Sequence, residues 1–129
     1  MDADLQNLIN AGHPEAVALQ RSIQALVARY AAEDRLRVST VAEKSANEAE
    51  QRARLQRDHT LAALDQRQAG AADEVMIAEC NLERAKIAAA YRPFAVALGQ
   101  AEDIVAKAQL DLEAARRIEA KHPIGGTHL

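Results

Sequence analysis

Residues 77–115 read IAECNLERAKIAAAYRPFAVALGQAEDIVAKAQLDLEAA. Within this stretch Ile77, Cys80, Arg84, Ile87, Tyr91 and Phe94, followed by Leu98, Ala101, Val105, Ala108, Leu112 and Ala115, alternate steps of three and four without a slip, and only Arg84 is polar. Such spacing keeps one side of a helix turned toward a neighbouring helix, which is the pattern of a coiled-coil seam. A seam of this length serves to bind other helices, from the same chain or from a partner. It is expected to serve that role rather than to line a pocket.

Composition agrees. Thirty of the 129 residues are alanine and only 2% are aromatic, so the interior must be built from Ala, Leu, Ile and Val. Alanine is the best helix former and buries little surface, which favours long helices at close approach over a thick globular core. The expected fold is all-α: an elongated antiparallel helical hairpin or coiled coil, with a short N-terminal helix and an irregular C-terminal tail, forming a single helical domain over 1–129.

Leu5, Leu8 and Ile9 mark the short helix over 3–11, which Gly12 ends. Pro14 suits the first position of the next helix, where its missing N–H is no loss, and Glu15 favours the positive helix terminus. From Pro14 to Gln68 there is no glycine and no further proline, so one long helix over 14–69 is predicted, roughly 80 Å long at 1.5 Å per residue. Its apolar residues cluster at Leu19, Ile23, Leu26, Val27 and Tyr30, while Ala42, Ala46, Ala49 and Ala53 form a small-residue stripe through a charged stretch. A capping-box match at Thr40-Val41-Ala42-Glu43 offers an alternative break at Ser39-Thr40.

Gln68-Ala69-Gly70-Ala71-Ala72-Asp73 reads as the turn of the hairpin, with Gly70 able to take a left-handed cap and Asp73 able to cap the helix that follows. Reversal there sets Tyr91 near position 51, Val105 near 37 and Leu112 near Tyr30, so that the alanine stripe meets the Tyr91–Phe94 region and the 77–115 seam and the 19–30 patch bury against each other and against neighbouring copies. The second long helix spans 72–121 with a kink at Pro93, whose ring crowds the carbonyl of Ala89. Pro123 and Gly125-Gly126 stop it, leaving 122–129 as a tail.

Chemical motifs are sparse. Glu119 and His122 have the Glu-x-x-His spacing of helical di-metal sites, but such a site needs the pattern twice, and Gln56 stands where a second Glu before His59 should be. Cys80, the sole cysteine, lies on the seam and reads as a small apolar packing group. No catalytic, cofactor-binding or metal site is expected. Arg84 is the candidate register residue, either snorkelling from the seam or pairing with an acid such as Glu48 or Glu50 across the hairpin. The arginines at 52, 54 and 57 are interspersed with Glu48, Glu50 and Asp58 and lack an aromatic stacking platform, which argues against nucleic acid.

The formal charge of −3 comes from an even mixture of signs, so the chain is not a polyanion binder. The N-terminus has no lysine or arginine before Arg21 and does not fit a standard signal peptide, and no apolar run approaches a membrane span. These features set the expectations of a non-enzymatic structural or assembly subunit, cytoplasmic or built into a particle such as a bacteriophage virion. Its partners would be other protein subunits, its own copies among them, and no membrane. A helical-hairpin adaptor or chaperone-like protein of a bacterial secretion-type system is the alternative.

Overall fold

A computed structural model describes residues 3–70 and 73–123. The chain is an all-α helical hairpin of three helices, α1 (Ala3–Asn10), α2 (Pro14–Ala69) and α3 (Glu74–Lys121), with no strand among the described residues. Residues 71–72 of the expected turn and 124–129 of the expected tail lie outside the described residues.

Local chemistry explains each helix end. Gly12 adopts φ 76°, and the N–H groups of Gly12 and His13 donate to the carbonyls of Ile9 and Leu8 at 2.9 and 3.0 Å. This six-to-one and five-to-two pair is a Schellman closure, which needs a left-handed residue after the helix. His13 then caps α2, its carbonyl accepting from Val17 N–H at 2.9 Å, and Pro14 occupies the first helical position as expected. At the start of α3, the Asp73 carboxylate accepts from Val75 N–H at 3.0 Å and its carbonyl from Ile77 N–H at 3.1 Å. Gly70, by contrast, does not have a positive φ, so the left-handed cap expected there is not used. Helix α3 runs through Pro93 to Lys121.

Helix α2 does not break at Ser39-Thr40. Ser39 Oγ donates to the carbonyls of Arg35 and Leu36 at 2.8 and 3.1 Å, which satisfies a buried hydroxyl inside the unbroken helix. Ser22 does the same toward Ala18 at 3.0 Å.

The chain divides into two compact units. The first comprises residues 1–39 and 105–129. Its core is small: Ala16, Ser22, Ala25, Ala32 and Ser39 from α2 are buried, as are Val105, Ala108, Leu112 and Ala115 from α3. Ala32, Leu112 and Ala115 form one cluster, against which Leu36 packs. A polar clamp lies beside it, in which Arg29 bonds Glu33 at 2.8 Å and also reaches Glu119 across the helix pair.

This packing shifts the expected register in the first unit. Leu112 clusters with Ala32 and Ala115, with Leu36 packed against them, whereas Tyr30 is 56% exposed, its ring under the Arg29 guanidinium at 4.5 Å. Side chains lean toward the N-terminus of their own helix. In the first unit the α2 residues clustered with Leu112 therefore lie closer to the turn than a simple mirror count gives, whereas in the second unit Tyr91 meets Glu50, next to the expected position 51. The 19–30 patch is divided for a related reason: Ile23 and Leu26 are half-buried, whereas Leu19, Val27 and Tyr30 face outward.

The second unit comprises residues 40–104. Cys80, Glu50 and Leu64 are its most buried side chains, and Arg84, Ile87, Tyr91, Leu98 and Ala101 of the seam are half-buried. Ile77 and Phe94, although in register, remain exposed at 37% and 44%. No helix among the described residues is long and apolar enough to cross a membrane.

Two substitution pairs check this account by thermal or chemical unfolding. Leu112→Ala is expected to cost about 2–5 kcal/mol, and Tyr30→Ala under about 1 kcal/mol. Gly12→Ala strains a left-handed residue by about 1–2 kcal/mol. Gly70→Ala, whose added Cβ meets only Arg67 O at 4.0 Å, should be neutral or stabilise by up to about 1 kcal/mol.

Candidate functional site

The arrangement with the most chemistry lies in the second unit, around the carboxylate of Glu50. Glu50 is 2% exposed. It is held there because it falls on a 3-4 repeat of α2 that runs Glu43, Ala46, Glu50, Ala53, Arg57, Thr60 and Leu64, all of them buried or half-buried. Polar side chains occupy four of these seven positions. That is why hydrophobicity alone did not reveal the seam on α2, although its spacing was present in the sequence.

Oε1 of Glu50 accepts three charge-assisted or hydroxyl hydrogen bonds: from Tyr91 Oη at 2.5 Å, from Arg54 Nη2 at 2.6 Å and from Arg54 Nε at 2.9 Å. The Tyr91 hydroxyl is the chief reason that the Glu50 carboxyl titrates below the ordinary glutamate range; burial opposes it and Arg54 assists. Arg54 is correspondingly held more firmly protonated, first by Glu50 and then by Tyr91. A group ionised this firmly is a poor general base at neutral pH. Its chemistry is structural, tying the Tyr91 hydroxyl of α3 to α2.

Tyr91 is also gripped from its ring face, where the Arg57 guanidinium stands 4.3 Å from the centroid. Beside it lies an open groove of about 510 Å³, floored by Ala49, Ala53, Ile87, Ala90, Tyr91 and Phe94 and rimmed by Arg52, Gln56, Arg57 and Thr60. The groove exists because Ala49 and Ala53 are too short to cover Phe94. Arg57 is paired with Asp58 at 3.0 Å, whereas Arg52 has no ion-pair partner among the described residues. An apolar floor with one uncommitted cation on its rim suits an amphipathic helix carrying an acid.

Arg84 does cross the hairpin, but its partner is Asp65 at 2.5 Å, not Glu48 or Glu50. Glu50 is already occupied by Tyr91 and Arg54. Asp65 is 66% exposed, so Arg84 leaves the seam for the surface and carries its charge toward water. Arg67 and Glu83 add a second exposed cross-pair at 3.1 Å. Cys80 is a buried free thiol. Glu119 binds Arg29, and among the described residues no group of three or more His, Cys, Asp or Glu could hold a metal ion. Of the arginine trio, Arg54 and Arg57 are paired with Glu50 and Asp58.

No protein family, curated protein or solved structure is significantly similar to this chain.

Tyr91→Phe isolates the network. It should lower Tm at pH 7 by a few degrees, because a buried carboxylate loses its shortest hydrogen bond. A depressed carboxyl pKa contributes stability above its unfolded value, and that contribution is lost as pH falls through the folded one. The gap between wild type and Tyr91→Phe should therefore be full above about pH 4.3 and close below it. A gap independent of pH between 2 and 7 would assign the effect to packing alone.

Proposed function

We propose that this chain is a non-enzymatic structural or assembly subunit that works by presenting helical faces to other protein subunits, its own copies included. One observation carries the reading. The α3 seam is met by α2 of the same chain, with Cys80, Val105, Ala108, Leu112 and Ala115 buried, yet large apolar side chains remain uncovered. Leu55, Leu110, Val41 and Val27 are each at least 60% exposed. Single exposed apolar residues are ordinary, but helices that stay apolar beyond the face they bury fit contacts with further helices.

The particle that would hold such a subunit is identified by recovery: a virion component, the class first suggested by size and composition, should be present in stoichiometric amounts in purified particles. The second reading, an adaptor or chaperone-like protein of a secretion-type system, is favoured by the groove over Ala49 and Ala53 and by the unpaired Arg52 on its rim. Such a protein would bind a partner's helix transiently and be absent from the finished assembly.

Light scattering coupled to size exclusion, over about a hundredfold range of concentration, separates the two. The subunit reading expects a discrete oligomer that persists or grows in as concentration rises. A monomer at every concentration would sink self-assembly. If a partner is then retained, and Ala53→Trp abolishes that retention by filling the groove without changing the chain's own mass, the adaptor reading stands.

A further inference from the structure

Helix α3 carries a second 3-4 repeat in the second unit. Val75, Leu82, Ala89 and Val96 recur every seven residues, and three positions after each stand Ala78, Ala85, Arg92 and Gly99. This set is displaced by two residues from the seam that packs on α2. At 100° per residue it occupies nearly the opposite side of the helix, roughly 160° away. Val75, Leu82 and Val96 are 62%, 58% and 51% exposed, and Ala78, Ala85, Ala89 and Arg92 are exposed with them. Gly99 has no internal explanation, since a Cβ there would meet nothing within 4 Å, and glycine inside a helix weakens it. A helix apolar on two opposite sides has one side still to cover.

We propose that this outward face of α3 is a dimerisation seam on which a second copy of the same chain packs antiparallel, with Leu82 of each copy against Ala85 of the other and Ala78 against Ala89. The inference rests on the reading of the chain as a self-assembling subunit and names the surface that does it.

Charge selects the partner and its direction. In this register Glu79 flanks Lys86 of the other copy, and Arg92 lies over Val75 and beside Glu74. Two-fold symmetry repeats each pair. None of Glu74, Glu79, Lys86 and Arg92 has an ion-pair partner within its own chain among the described residues. A parallel pairing would stack Arg92 on Arg92 and set Glu74 against Glu79. The antiparallel register one heptad away would put Lys86 against Lys86 and Glu74 against Glu102. Only the proposed arrangement matches opposite signs at both flanks, and its small residues let the two helices approach closely.

Sedimentation or light scattering of the full chain gives the dimer dissociation constant, and circular dichroism monitors the hairpin. Leu82 does not support the fold of one chain, so Leu82→Asp should raise the dissociation constant by at least about tenfold at unchanged helicity. Glu79→Lys or Lys86→Glu alone should raise it by about threefold to tenfold, and the two together should restore it. Orientation is read by mixing Ala78→Cys and Ala89→Cys copies under oxidation. The antiparallel seam yields the mixed 78–89 disulfide, whereas 78–78 and 89–89 products mean a parallel pair and overturn the proposal. A wild-type oligomer indifferent to Leu82→Asp rejects this seam while leaving self-assembly in place. A wild-type monomer at all concentrations rejects both.

Discussion

Close contact between small side chains is the constraint on which the structure depends. Two helices by themselves can bury only one face each, so the stabilisation available depends on how closely they approach. Ala32 and Ala115 permit that approach around Leu112 in the first unit. Alanine contributes little transfer free energy of its own. Its value here is that it lets the few large residues make dense contacts and lets polar residues in the seam reach partners on the opposite helix.

Those polar residues give the hairpin its specificity. Ser22 and Ser39 return their hydroxyls to carbonyls of their own helix and so occupy buried positions without an orphaned donor. Glu50 cannot do this. Its carboxylate is tolerated at 2% exposure only because Tyr91 and Arg54 converge on one oxygen. A slip of the helices past each other would strand that charge in an apolar layer, which is far costlier than moving one alanine past another. The network therefore acts as a register lock, the role expected of Arg84. Arg84 sits near the surface with an exposed partner and constrains less.

The same economy shapes what the chain offers to others. Where alanine faces Phe94 a groove remains, and where α3 turns its second repeat outward an apolar stripe remains. Neither gathers a nucleophile, a general base or a metal-ligand set. Both offer what one helix needs from another: apolar relief at helical spacing, flanked by charges that can choose a partner.

Residues 77–115 and the punctuation around them determined a great deal by themselves. An unbroken 3-4 repeat, Pro14, Asp73 and Pro123 specify helices and their ends through local sterics and capping, which act within a few residues and need no partner. Tertiary structure decided the rest. Gly70 and Gly12 have equal intrinsic freedom, and only the Schellman closure at Gly12 uses the left-handed region. The α2 seam alternates alanine with Glu50, Arg57 and Thr60, so its inward face is defined by what α3 presents and not by hydropathy. The pairings of Glu50 with Tyr91 and of Arg84 with Asp65, and the packing of Leu36 on the Ala32, Leu112 and Ala115 cluster, follow from how the two helices are placed against each other. Spacing along one helix fixes which residues share a face; which residue each of them meets depends on the relative placement of two backbones, a quantity that no single helix encodes.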